Sequence, residues 1–101
     1  MKETIIKFEK GKQKKKYTAT VRHKSTKKTR KLSFGHKDYQ QYRDSTPLGL
    51  YKGRDHGDRK RMQRYYSRHS GTKRRGEAIK KEKIKSDGLY TPKILSHIYL
   101  W

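Results

Sequence analysis

Histidines, paired carboxylates and activated hydroxyls are the usual raw material of catalytic and metal sites, and this sequence offers few of them in useful arrangements. The five histidines, His23, His36, His56, His69 and His97, include no pair at the spacing of a metal motif. Asp55-His56 and Arg68-His69 could be assembled into a nuclease centre, but the same residues fit the cap and the buried face of a helix. Nine Asp and Glu stand against thirty Lys and Arg, so most carboxylates are expected in ion pairs, and none are placed as an acid–base couple. Gly49, Gly53 and Gly57 recur every fourth residue without leading into the lysine of a phosphate loop. The pattern argues against an enzyme; no cofactor, metal or small-molecule substrate is expected.

What the sequence holds in abundance is positive charge. The formal net charge is +21 on 101 residues. A chain so unbalanced repels itself when compact and is drawn to polyanions. Nucleic acid, an anionic membrane leaflet and an acidic protein surface all qualify, and charge alone does not choose among them. The cations fall in four runs with almost no acid between them, whereas ordinary surfaces mix the two signs. The candidate polyanion-binding residues are Lys12, Lys14, Lys15 and Lys16 in the first run, and Arg22, Lys24, Lys27, Lys28 and Arg30 in the second. Arg59, Lys60 and Arg64 follow in the third, and Lys73, Arg74 and Arg75 in the fourth. Contact with phosphate through such residues is sequence-independent and falls steeply with salt.

Positioning these residues needs a scaffold, and its elements are legible as periodicities. Residues 4–9 alternate around Ile6 and Phe8, 17–22 around Tyr17, Ala19 and Val21, and 31–35 around Leu32 and Phe34, so all three predict strands. Short basic connections make an antiparallel meander the simplest topology, with one apolar face that must be covered. Phe8, Tyr17 and Phe34 invite comparison with a base-stacking sheet. Their register with Ala19, Val21 and Leu32 makes them core instead. Residues 38–42 suggest a short helical turn and 45–53 a loop. Asp55 is the expected N-cap of a helix with Asp58 in its first turn, carrying Met62, Tyr65, Tyr66 and His69 on one face and Arg59, Lys60, Arg61, Arg64 and Arg68 on the other. Tyr39 and Tyr42, like Tyr65 and Tyr66, read as packing residues. Residues 72–88 read as a basic loop or a weak exposed helix. Thr91 caps a last helix that starts at Pro92 and bears Ile94, Leu95, Ile98 and Tyr99.

The class is α+β, a single domain: a β-meander over 1–35, a loop and helix over 36–71, a basic insert over 72–88 and a C-terminal helix over 89–101. With only 28% apolar residues the core is small, and a partner is expected to hold the chain. Ile98, Tyr99, Leu100 and Trp101 are the candidate docking residues, seated either on this sheet or on a neighbour. No cysteine is present, which fits a reducing compartment, and no apolar run suits a signal peptide or a membrane span. The expected location is inside a cell, or inside something assembled there.

Three segments also form an ordered set: Phe34-Gly35 with Tyr39 and Tyr42, the Asp-led stretch from Asp55 and Asp58 to Tyr65, Arg68 and His69, and the closing Leu100-Trp101. The set resembles a family of small basic proteins encoded by nucleocytoplasmic large DNA viruses. Those share a Phe-Gly-x-x-x-Tyr-x-x-Tyr-like element, a helix with Tyr-x-x-Arg-His, and a terminal Leu-Trp. The likeness covers about residues 31–71 and 92–101 and departs in the insert at 72–88. It implies a virion protein made in the host cytoplasm or virus factory. The favoured role is a minor capsid component, an electrostatic cement between the major capsid protein and its neighbours or against the anionic inner membrane. The alternative is a sequence-independent nucleic-acid-binding or genome-condensing protein.

Overall fold

A computed structural model of the chain describes all of residues 1–101. Three strands, β1 (Glu3–Lys10), β2 (Lys15–His23) and β3 (Thr29–His36), form one antiparallel sheet in the order β1-β2-β3. A one-turn 3-10 helix at Lys52–Arg54 and three α-helices follow: α1 (Arg59–Ser70), α2 (Arg75–Lys85) and α3 (Pro92–Tyr99). The chain is an α+β fold built on a three-stranded meander.

β2 is the central strand, and its alternation holds: Tyr17, Ala19 and Val21 are fully buried on one face. Opposite Tyr17 in the β3 register sits Phe34, and opposite Ala19 sits Leu32. In β1 the expected pairing of Ile6 with Phe8 does not hold. The register slips between Ile5 and Lys7, where Ile5 faces Val21 and Lys7 faces Thr20. A bulge of this kind leaves one residue out of the ladder and reverses the parity on either side of it. Ile5 and Phe8 therefore pack on the core together, and Ile6 is left exposed.

α3 covers the sheet. Thr91 caps it by accepting a hydrogen bond from the Ile94 N–H at 3.1 Å, with Pro92 at the first helical position. Leu95 and Leu100 join Tyr17, Ala19 and Phe34 in the main apolar cluster. Gly35 makes the seat of Leu100 possible: it has φ +75, and a Cβ there would lie 2.8 Å from the Leu100 Cδ1. α2 packs against both α3 and α1, and α1 reaches α3 through Tyr65 and Tyr66 at His97.

The N-cap of α1 is Asp58, which accepts from the Lys60 and Arg61 N–H groups; Asp55 instead accepts from the Gln41 side chain at 2.6 Å and the Asp44 N–H at 2.8 Å. α1 ends where expected, at Gly71 in the left-handed conformation. The buried face of α1 is Tyr66 and Ser70, and His69 is exposed. Of the two readings of the insert at 72–88, the helix is the one that forms. Most of the insert is α2, which buries Ala78 and Glu82 against its neighbours while Ile84 stays 72% exposed. Residues 38–42 make a turn without helix, and Tyr39 is 67% exposed. No helix is long and apolar enough to cross a membrane.

Candidate anion-binding cleft

Where the end of β3, the following turn, α1 and α3 meet, they leave a cleft of about 870 Å3. One wall is a face of α1, on which Arg61, Arg64, Tyr65, Arg68 and His69 recur at i, i+3, i+4, i+7 and i+8. The other wall is Lys15 with His36 at the end of β3 and Asp38, Tyr39 and Gln40 of the turn after it. Lys93 and Ser96 of α3 close one side, and Phe34, Gly35, Leu100 and Trp101 line the apolar part. Asp38 is the only carboxylate among the lining residues, 3.9 Å from the His36 Nδ1.

The cations of the cleft differ in their commitments. Arg61 donates to the Gln40 Oε1 at 2.8 Å, and Lys93 donates to the His69 carbonyl at 3.2 Å. Lys15, Arg64 and Arg68 are exposed and make no side-chain hydrogen bond or ion pair within the protein. Partial desolvation, followed by the charges of Lys93 and Arg68, holds the His69 imidazole below its ordinary pKa. The aromatic rings come in stacked pairs. Tyr65 and Trp101 lie parallel with centroids 4.3 Å apart, and Tyr39 stacks on His36 at 4.4 Å. The His56 ring lies beside Trp101, 5.3 Å away and tilted by 56°.

The fifteen predicted polyanion-binding residues divide into free and committed groups. Lys12 and Lys14 lie in the β1–β2 turn, and Lys24, Lys27 and Lys28 in the β2–β3 turn at the opposite end of the sheet; all are exposed. Arg22, Arg59, Lys60, Arg64 and Lys73 are exposed as well, and Arg74 makes only an outlying pair with Glu77 at 3.3 Å. Lys16 is not a surface cation. It is 1% exposed and donates to the Tyr39 carbonyl at 2.7 Å and to the Gln41 Oε1. Burial pushes its ammonium down to about 8, against the pull of Asp44. The reason is its register. Lys16 precedes Tyr17 at the mouth of the sheet, where the turn after β3 folds across it and supplies two oxygens.

Arg30 and Arg75 are also held by the fold. Arg30 grips Glu3 with two hydrogen bonds of 2.7 and 2.8 Å and reaches the Tyr90 carbonyl at 2.6 Å. The guanidinium holds the Glu3 carboxyl below its usual range. Arg75 donates to the Ile98 carbonyl at 2.9 Å and so satisfies the end of α3.

The C-terminal docking residues are occupied within the chain. Leu100 is 2% exposed and Tyr99 packs edge-on against Phe8 at 4.9 Å. The backbone is tied as well, the Arg43 N–H donating to the Leu100 carbonyl at 3.0 Å and the Ser45 N–H to the Tyr99 carbonyl at 2.8 Å. Ile98 is half-buried, and Trp101 lies on Tyr65. Of the two seats expected for this tail, the chain's own sheet and helices take it.

Beneath the cleft runs a polar chain that sequence reading did not find. The His97 ring is fully buried between Tyr65, whose hydroxyl lies 2.9 Å from Nδ1, and Ser70, whose Oγ lies 2.8 Å from Nε2. Ser70 donates to the Glu82 Oε2 at 2.9 Å, so its oxygen accepts from a protonated Nε2, and Nδ1 accepts from Tyr65. Burial pushes the His97 pKa down to about 4, with Glu82 pulling the other way. Serine, histidine and glutamate in series suggest nucleophilic chemistry, but Ser70 and Glu82 are each at most 6% exposed, and the Ser70 hydroxyl and both His97 nitrogens are hydrogen-bonded inside the protein. The relay joins α1, α2 and α3.

Of the ordered set of motifs in the sequence, Phe34, Gly35, Tyr39, Tyr65, Arg68, His69, Leu100 and Trp101 line the cleft, and Tyr42, Asp55 and Asp58 do not. Arg61 and Arg68 could have joined Arg64 as site residues on helical period alone, whereas Lys93 and Gln40 carry no sequence signal. Compared with protein-family models, with curated proteins and with solved structures, the chain matches none.

Proposed function

We propose that this protein is a non-enzymatic, sequence-independent nucleic-acid-binding protein. The observation that carries the reading is the cleft, where unpartnered cations and aromatic rings are brought to one place on a chain of net charge +21. Cations alone would serve any polyanion, but stacked aromatic rings beside them suit a ligand with both phosphates and bases. The C-terminal tail, the candidate docking segment, lies on the chain's own sheet and helices. Free lysines in the two hairpin turns add phosphate contacts at both ends of the sheet.

The test is anisotropy of labelled DNA with the purified protein over a salt series, with poly-glutamate as the acidic-protein comparison. The logarithm of affinity is expected to fall linearly with that of salt, by about 0.9 for each duplex phosphate neutralised. Poly-glutamate competing as well as DNA at equal charge would remove the reading.

A second reading has an observation of its own. The two basic turns sit at opposite ends of the three-stranded sheet, so one molecule can touch two anionic surfaces at once. That suits the minor capsid cement implied by the viral resemblance, with acidic capsid faces or the inner membrane as the surfaces bridged. It is separated from genome binding by particle content: cement accompanies empty shells at a fixed ratio to the major capsid protein, and a genome binder only filled ones.

A further inference from the structure

The nucleic-acid reading leaves open which form of the polymer enters the cleft, and the geometry restricts it. An opening of about 870 Å3 is of the size that takes a small ligand, within the roughly 300–1,000 Å3 usual for such sites. A duplex lies across an opening of this size without entering, because its bases are stacked and paired inside a cylinder far wider than the cleft. A single strand can enter, because its bases are free to leave the stack.

The cleft is furnished for both halves of a nucleotide. On the α1 wall Arg64 and Arg68 project one turn apart with no protein acceptor, and Lys15 stands on the other wall. Residues four apart on a helix are about 6 Å apart along its axis, a separation that suits neighbouring phosphates. On the other wall Tyr39 is a tyrosine without a packing role. One face lies on His36, and the side chain as a whole remains 67% exposed. Exposed aromatic rings held by a stacked partner are the usual platform for a base in single-strand binders. Trp101 already has Tyr65 stacked on it and the tilted His56 ring beside it, so Tyr39 is left as the platform.

We propose that the cleft is a single-strand site, taking an unpaired stretch or end of a nucleic-acid strand with phosphates on Arg64, Arg68 and Lys15 and a base on Tyr39. It rests on the nucleic-acid reading above. Duplex contacts are left to the hairpin turns, outside the cleft.

Trp101 is the sole tryptophan and lines the cleft, so its emission reports occupancy directly. The titration uses a thymidylate octanucleotide and, in parallel, a blunt duplex of the same strand length. The octanucleotide is expected to change Trp101 emission saturably while the duplex binds with that emission unchanged. Tyr39→Ala is expected to weaken the octanucleotide by at least about fivefold and leave the duplex unaffected, with Tyr39→Phe restoring binding. Arg64→Ala with Arg68→Ala should weaken the octanucleotide more than the duplex, whereas Lys27→Ala with Lys28→Ala should weaken the duplex more. All these side chains are exposed, and unchanged thermal midpoints show that each variant is folded. The proposal is overturned if saturating octanucleotide leaves Trp101 silent, if Tyr39→Ala is neutral, or if each variant moves both ligands equally. Duplex binding that persists in any of those cases leaves the nucleic-acid reading standing. If neither ligand binds, both fall together.

Discussion

Lys15 and Lys16 are neighbours in β2 with the same side chain, and they belong to different regions of the molecule. Lys15 stands on the rim of the cleft with its ammonium in water; Lys16 turns under the rim and donates to Tyr39 and Gln41. The same division separates Arg64 and Arg68, which are free, from Arg30 and Arg75, which are bound to a carboxylate and to backbone carbonyls. The interior seam uses cations and hydroxyls as braces because the apolar supply is short. Nine buried hydrophobic residues must hold a sheet and three helices, and the polar groups that share their burial are nearly all hydrogen-bonded. Charge on the rim is therefore replaceable in kind, and charge in the seam is specific in place.

The relay through His97 should show the largest effect of this division. In the folded protein His97 titrates at about 4, and in the unfolded chain at its ordinary value of about 6.5. The folded pKa is depressed, so the unfolded state binds the extra proton first. Stability is complete above about pH 6.5 and falls as pH drops towards 4. A difference of about 2.5 units corresponds to a loss of about 3 kcal/mol from this group. Urea unfolding at successive pH values measures the loss. An NMR titration assigns it, since the His97 imidazole should stay neutral at pH 5; ordinary titration of His97 near pH 6.5 would remove the relay from the account.

Next in size is the direct contrast of Lys15 with Lys16. Lys16→Met keeps the aliphatic length but leaves the Gln41 amide oxygen and the Tyr39 carbonyl without their donor. Leaving buried acceptors unpaired costs about 1–3 kcal/mol. Lys15→Met removes an exposed charge and should stay within about 0.5 kcal/mol of the parent. The order reverses for affinity, where Lys15→Met weakens DNA and Lys16→Met, once corrected for the folded fraction, does not. Thermal or urea unfolding beside anisotropy of labelled DNA gives all four values. Equal stability of the two variants would mean that the rim and the seam are not distinct.

What could be seen in the sequence follows the same line. The alternation of Tyr17, Ala19 and Val21, the Thr91-Pro92 start of α3 and the Gly71 stop of α1 are local signals, set by the pleat, the cap and the left-handed turn. The meander and the α+β class followed from them. The bulge at Ile6 was invisible because period two cannot show where a residue drops out of register. Lys16 was hidden in Lys12–Lys16 because four lysines in five residues look alike. Only the turn after β3, folding across from more than twenty residues away, singles one of them out. His97, Ser70 and Glu82 likewise meet by tertiary packing, and no spacing in the chain announces them. The charge pointed correctly to thirty cations, and their division into free and committed is a property of the fold.

The smallest expected effect tests whether the free cations outside the cleft are truly interchangeable. Lys24, Lys27 and Lys28 share the β2–β3 turn, with no aromatic ring stacked beside them and no acidic partner. The ring nearest in sequence, His23, accepts from the Ser25 and Thr26 N–H groups at 3.2 and 3.3 Å and so shapes the turn backbone. Replacing any one of the three lysines by alanine should lower the salt slope on duplex DNA by about 0.9 or less, and replacing all three by up to about 2.7. Lys27 has φ 64, a strain that lysine and alanine bear alike, so the alanine variant leaves the turn backbone as it is. The three single variants should be indistinguishable in affinity at a given salt, because a phosphate contact made through a mobile ammonium depends on charge and reach, with little dependence on exact position. One lysine of the three carrying most of the slope would mean that this turn, too, holds a site with a fixed geometry. The contrast between an ordered cleft and an unordered fringe of charge would then have to be redrawn.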